Sequence, residues 1–210
     1  MKVLIVMSTP NASGLTAACA ESARQGVVDS RSRARVVNLN ELSVARCAVC
    51  GDGWGTCRKQ HECQVKDDFQ ELHRTVREAE GYVFVTPVYF GEPSEPFKAF
   101  FDRLRRCEAT RDPSSGERGA LTGKPAVCVA AAGGSGHGAV RCLECMERTL
   151  HRLGAEVLDL IPVTQRTREY QLETVHDAQA VLTETRAAPA TRPETEARRG
   201  GRKPRRRRRR

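Results

Sequence analysis

Lys2-Val3-Leu4-Ile5-Val6-Met7 runs directly into Ser8-Thr9-Pro10-Asn11-Ala12-Ser13-Gly14, and from Leu15 to Val28 apolar side chains return at helical spacing. A continuous apolar run of this length has no polar face, so it suits a strand covered on both sides. The hydroxyl-rich loop ends it, and the amphipathic stretch supplies one of the covers. Working outward, the same unit recurs. Ala34 to Leu39 reads as a second strand. Asp67 and Asp68 open a helix whose inner face is Phe69, Leu72, Val76 and Ala79. Tyr82 to Thr86 is a third strand ended by Pro87, and Pro93 to Arg106 a helix with Phe97, Phe100, Phe101 and Leu104 inward. Arg111 to Gly119 is polar and turn-rich. Pro125 to Ala132 is a fourth strand, followed by a glycine loop and a helix to about Leu153; Glu156 to Ile161 is a fifth strand, and Tyr170 to Thr185 a last helix. Strands alternating with helices predict an α/β fold: a five-stranded parallel sheet between two helical layers. In such sheets ligands bind beyond the carboxyl ends of the strands, where strand order reverses.

Charge divides the chain unevenly. Residues 192–210 hold eleven Arg or Lys against two Glu, which accounts for the whole formal charge of +9. Residues 1–191 are balanced, with 24 basic and 24 acidic groups. The domain is therefore expected over 1–186, and 187–210 as a disordered Arg-rich tail. A tail of this composition is attracted to polyphosphates, so any nucleic-acid contact is expected there, non-specific and salt-sensitive. The apolar runs are far shorter than the ~20 residues of a membrane helix. No small-residue cleavage site follows the first run, so the reading is a cytoplasmic protein without membrane contact.

Three loops fall at predicted strand ends. Ser8 to Thr16 offers the hydroxyls of Ser8, Thr9, Ser13 and Thr16, the Asn11 amide, and a helix N-terminus, a set of neutral donors suited to a phosphate. It matches neither the Gly-Lys-Ser/Thr phosphate loop nor the Gly-x-Gly-x-x-Gly fingerprint. In Thr86-Pro87-Val88-Tyr89-Phe90-Gly91 the aromatics can present flat apolar faces to a planar ring. Gly133-Gly134-Ser135-Gly136-His137-Gly138 lets backbone approach a ligand closely.

With these loops, the chain resembles the NAD(P)H-dependent FMN reductases, close to the flavodoxin-like iron–sulfur flavoproteins. The resemblance spans Lys2 to about Ile161. It rests on Ser8-Thr9-Pro10 with Ser13, Cys63 to Asp68, Pro87-Val88-Tyr89-Phe90-Gly91, the helix Phe97 to Arg103, and Gly133-Gly134-Ser135-Gly136. It implies a flavodoxin-like sandwich. It gives Thr9, Asn11, Ser13 and Thr16 to the FMN phosphate, and Pro87, Val88, Tyr89, Phe90, Gly133, Gly134 and Gly136 to the flavin ring. A homodimer closing over the flavin is also implied. Asn11 departs from the family, where many members carry Arg.

Cys47, Cys50, Cys57 and Cys63 crowd one glycine-rich insertion, residues 46–66. Four thiolates suit a [4Fe–4S] cluster or tetrahedral zinc, with His61 as an alternative zinc ligand; the residues equally allow no metal at all. The iron–sulfur flavoproteins have a tighter third spacing; Gly53 stands at that place here. Cys19, Cys107 and Cys128 read as small buried hydrophobes, and Cys142 and Cys145 as structural.

The function expected is an FMN-dependent NAD(P)H oxidoreductase passing electrons to a small molecule, a flavin or a protein. No side chain is assigned as a catalytic acid or base, because the redox chemistry belongs to the flavin. Two alternatives stand: an FMN/iron–sulfur electron carrier without its own nicotinamide site, and a non-catalytic cysteine-based metal or redox sensor.

Overall fold

β1 (Lys2–Met7) pairs in parallel with β2 (Arg33–Asn38) on one side and β3 (Gly81–Tyr89) on the other. β5 (Pro125–Ala132) and β6 (Glu156–Thr164) extend the parallel sheet, giving the order β2-β1-β3-β5-β6. These contacts come from a computed structural model that describes residues 1–111 and 116–185. The expected five parallel strands are all present. A sixth, the two-residue β4 (Glu92–Pro93), folds back antiparallel on the end of β3 and was not foreseen. The strand order reverses between β1 and β3, the place where ligands bind in sheets of this order.

Alternation along the strands builds two cores. Leu4 and Val6 of β1 join Phe84 and Cys128 beneath α3 (Phe69–Glu78), α4 (Glu95–Glu108) and α5 (Ala139–Arg152). Val3 and Ile5 join Val83, Val85, Val127 and Val129 beneath α1 (Leu15–Asp29) and α6 (Arg168–Glu184). The first core is the aromatic one: Phe84 meets Phe101 edge-on at 5.4 Å, and Phe97 lies 4.6 Å from Phe101. Each fully buried side chain of this size contributes about 1.5–3 kcal/mol. On the other face α1 and α6 approach so closely that a Cβ at Gly26 would lie 2.2 Å from the His176 carbonyl oxygen.

Boundaries moved mainly at the ligand-facing ends. β3 runs through Pro87 to Tyr89 rather than stopping at Thr86. The reason is local: the Val85 carbonyl accepts from the Ser8 N–H, so Val85 and Pro87 both direct their backbone groups toward β1. β1 pairs only as far as Met7, opposite Val85, so the missing N–H of proline costs no ladder bond. The insertion 46–66 contains α2, a four-residue turn (Cys50–Gly53) with non-helical backbone at Gly51 and Asp52. The expected Arg-rich tail lies outside the described residues, as does part of the 111–119 turn region. Among the described residues no helix is long and apolar enough to cross a membrane.

Candidate functional site

Because β1, β3 and β5 are adjacent and parallel, their three following loops share one edge of the sheet. The first loop is knotted by its own side chains. Thr9 and Asn38 exchange two bonds: Thr9 N–H donates to Asn38 Oδ1 (3.2 Å), and Asn38 Nδ2 donates to the Thr9 carbonyl (3.0 Å). The Asn11 carboxamide oxygen accepts from the Ser13 N–H at 3.0 Å and the Ser13 hydroxyl at 3.2 Å. Asn11 and Ser13 are exposed, whereas Thr9 and Thr16 are buried. α1 begins just after its N-cap Gly14, without a side-chain cap and without an acid in its first turn. Its leading N–H groups are therefore suited to an anion. Ser8 corrects the sequence reading. Its hydroxyl is fully buried, 2.5 Å from Ser94 Oγ and 3.4 Å from Thr86 Oγ1, and ties β1 to β3 and α4.

The second and third loops lean on each other. Gly138 has φ +85°, and a Cβ there would lie 2.7 Å from Gly91 Cα. This close approach of two glycines joins the loop after β3 to the loop after β5. At the tip Phe90 sits in the left-handed region (φ +52°) and is fully exposed; Tyr89 is about half exposed. Left-handed backbone in a bulky residue is strained, so packing elsewhere in the loop must hold it. Pro87 and Val88 are half-buried, Gly133 and Gly134 exposed with open space at the Cβ position, and Gly136 half-buried against Thr164. The neutral donors at the head of α1, the exposed aromatics and the open glycines fit the phosphate and ring of a flavin nucleotide.

The four insertion cysteines come together. Cys47, Cys50, Cys57 and Cys63 line one small pocket of about 20 Å³ with Gly53, Gly55, Arg103, Arg106 and Cys107. Arg103 is buried, and its Nη1 donates to Asp67 (2.5 Å) and the Ala45 carbonyl (3.1 Å). Its Nη2 donates to Cys63 Sγ (3.3 Å) and the Val65 carbonyl (3.1 Å). Burial opposes its charge, but the bonds to Asp67 and Cys63 hold the guanidinium pKa above its ordinary value. Asp67 is likewise pushed up by burial, yet the Arg103 bond and the Ala45 and Phe69 N–H groups leave it below the usual carboxylate range. Arg106 donates to the Gly53 carbonyl (2.6 Å) and lies over the Trp54 ring at 4.3 Å. Val49, a β-branched residue at φ +48°, strains the backbone between the first two cysteines. Burial pushes the Cys107 thiol up to about 12.

His61 stays out of this pocket. Its Nδ1 lies 3.1 Å from Thr110 Oγ1 and its Nε2 3.2 Å from Glu117. Among the described residues no three His, Cys, Asp or Glu side chains converge on one metal ion. Four thiols lining one pocket make a donor set suited to a cluster or to tetrahedral zinc. Arg103, Arg106 and Cys107 were missed in the sequence. Their spacing of i, i+3 and i+4 puts them on one face of α4, but nothing local says which loop that face meets.

α4 is anchored at its far end by a buried carboxylate. Glu108 lies 2.5 Å from His73 Nε2 and accepts from Arg111 (3.0 Å) and the Ala120 N–H (2.6 Å). Burial alone would raise its pKa; the three donors outweigh burial and hold it at about 2.

A parallel sheet of order β2-β1-β3-β5-β6, with its loops gathered at the β1/β3 reversal, defines a flavodoxin-like α/β protein. The NADPH-dependent FMN reductase family matches residues 1–163, and the chain belongs to that family. An iron–sulfur flavoprotein of Methanocaldococcus jannaschii is 27% identical over 105 residues, which cover 50% of this chain and 52% of the relative. One from Methanosarcina thermophila is 38% identical over 73 residues, 33% of this chain and 36% of the relative. The chain thus spans about half or less of the length of the curated relatives it matches. Among solved structures, an FMN-dependent NADH-azoreductase from Bacillus anthracis in complex with FMN superimposes with TM-score 0.67 at 15% identity, covering 87% of this chain and 99% of that one. An NAD(P)H:quinone oxidoreductase from Methanothermobacter marburgensis gives TM-score 0.65 at 20% identity, covering 87% and 96%. These two likenesses show the fold.

Proposed function

We propose that the protein is an FMN-dependent NAD(P)H oxidoreductase whose cysteine pocket holds a second redox centre, a [4Fe–4S] cluster. The observation that carries the flavin reading is the shared edge of three loops at the β1/β3 reversal, in a chain of the NADPH-dependent FMN reductase family. FMN, when bound, supplies hydride and single-electron chemistry. The chain's own work is to hold and orient it. The Ser13 N–H and hydroxyl and the first N–H groups of α1 receive the phosphate, with Asn11 giving up its bonds to Ser13 as they do. Tyr89 and Phe90 cover an apolar ring, and the bare backbone at Gly133 and Gly134 admits its polar edge. Exposure of both aromatics suits a second copy of the chain closing over this edge. The electron acceptor is a small molecule, a flavin or a protein.

One observation favours an electron-carrier reading: the four cysteines line a single cationic pocket. Anaerobic mixing with NADPH or NADH separates the two. Bleaching of the flavin band supports the oxidoreductase, whereas a band that stays while a low-potential reductant bleaches it supports the carrier. Protein that remains colourless after FMN addition overturns both.

A further inference from the structure

Arg103 is the largest fully buried side chain of the described residues, and a structural clamp alone does not account for its donors. Burying a guanidinium is costly unless each donor finds a partner. Asp67 balances its charge, and the carbonyls of Ala45 and Val65 take two more bonds. Two donors remain. Nη2 also meets Cys63 Sγ, and a neutral thiol is a weak acceptor where a thiolate is a strong one. Nε is buried without any partner. Both belong to a side chain lining the pocket of Cys47, Cys50, Cys57 and Cys63. A buried cation with one unspent donor and another resting on a thiol, beside four thiols, is matched to anionic sulfur.

We propose that Arg103 is the positioning residue of the cysteine pocket: its fork fixes Cys63 as a ligand and raises the reduction potential of the cluster held there. This rests on the cluster reading above. A four-thiolate cluster is an anion and gains one further negative charge on one-electron reduction. A fixed cation and a hydrogen bond to sulfur stabilise the reduced form more than the oxidised one. Arg106, on the same face of α4, serves differently, since it meets the Gly53 carbonyl and the Trp54 ring.

The test is a redox titration of anaerobically purified wild type, Arg103→Lys, Arg103→Gln, Asp67→Asn and Arg106→Gln, followed by electron paramagnetic resonance, with iron and sulfide counted. Arg103→Gln is expected to shift the cluster's one-electron equilibrium at least about tenfold toward the oxidised form, ~59 mV lower, or to lose iron while retaining flavin. Arg103→Lys shifts it the same way by less, because the charge stays and the fork goes. Asp67→Asn shifts it upward, because a competing anion is removed. Arg106→Gln shifts it less than Arg103→Gln, and the flavin potential stays constant throughout. If Arg103→Gln does not fold, Arg103→Lys and Asp67→Asn carry the measurement. Wild type lacking iron and sulfide overturns the cluster reading and this proposal together. Wild type with a cluster, and unchanged potentials in the Arg103 and Asp67 variants, overturns the role of Arg103 alone.

Discussion

At the three-loop rim the donors are backbone N–H groups and exposed hydroxyls, placed by where β1, β3 and β5 end. In the cysteine pocket the donors are side chains, four from one loop and three from a face of α4. The rim is open, with Asn11, Ser13, Tyr89, Phe90, Gly133 and Gly134 exposed. The pocket is walled by the buried Arg103 and by Arg106, whose guanidinium lies over the Trp54 ring. A site made from strand ends exists as soon as the sheet forms. A site made from a long insertion needs a separate anchor, and here α4 provides it, pinned by Arg103 to both ends of the insertion and by Glu108 to α3.

If the two sites are independent in this sense, each can be removed without the other. Cys57→Ser is expected to abolish bound iron and sulfide while leaving flavin content unchanged, read by elemental analysis and the visible spectrum. Flavin lost together with iron would break the comparison. The converse is Gly138→Ala. Left-handed backbone costs a non-glycine residue roughly 1–2 kcal/mol, and the new Cβ would press on Gly91. FMN affinity should fall about tenfold or more, equivalent to ~1.4 kcal/mol, with iron retained; fluorescence titration with FMN measures it.

The anchor itself titrates. Glu108 ionises far more readily when folded than the ordinary value of 4.5, so its contribution is complete above pH 4.5 and lost as pH falls toward 2. The shift corresponds to stability on the order of 3 kcal/mol. Denaturant unfolding between pH 5 and pH 2 (conditions chosen to span that window) should show this loss in wild type and a smaller one in Glu108→Gln. Gly26→Ala sharpens the contrast from the far side of the sheet. Separating α1 from the His176 carbonyl should cost about 1–3 kcal/mol in unfolding free energy, with flavin and iron both retained. Smallest is Ser8→Ala, which deletes one hydroxyl from the buried Ser8, Thr86 and Ser94 group. A loss of ~1 kcal/mol in stability with unchanged FMN affinity would confirm that this hydroxyl serves the fold; weakened FMN binding without a stability change would return it to the phosphate loop.

Much of the rim was legible because its signals are local. Val3 to Val6 and Val127 to Ala132 are buried on both sheet faces and read as unbroken apolar runs; the loops after them announce themselves by Gly, Pro and hydroxyls. Ser8 was misread since a hydroxyl next to a loop looks the same whether it faces ligand or core. β4 was invisible because two residues, Glu92 and Pro93, carry no periodicity. The cysteines were visible as a cluster, but their partners were not. Arg103 is 36 residues from Asp67 and 40 from Cys63, and no pattern within α4 reports so distant a pairing.

The sequence by itself therefore determined the alternation of strands and helices, the parallel sheet that follows from it, and the chemistry available in each loop. Those depend on hydrophobic period and residue type, which act over a few neighbouring positions. Only the tertiary structure decided which donors remain free. It turned Ser8 inward, set Gly138 against Gly91, kept His61 away from the cysteines, and placed a buried guanidinium beside Cys63. Such choices depend on which groups packing brings together across tens of residues, where burial makes every unpaired donor costly and so gives each contact a sign.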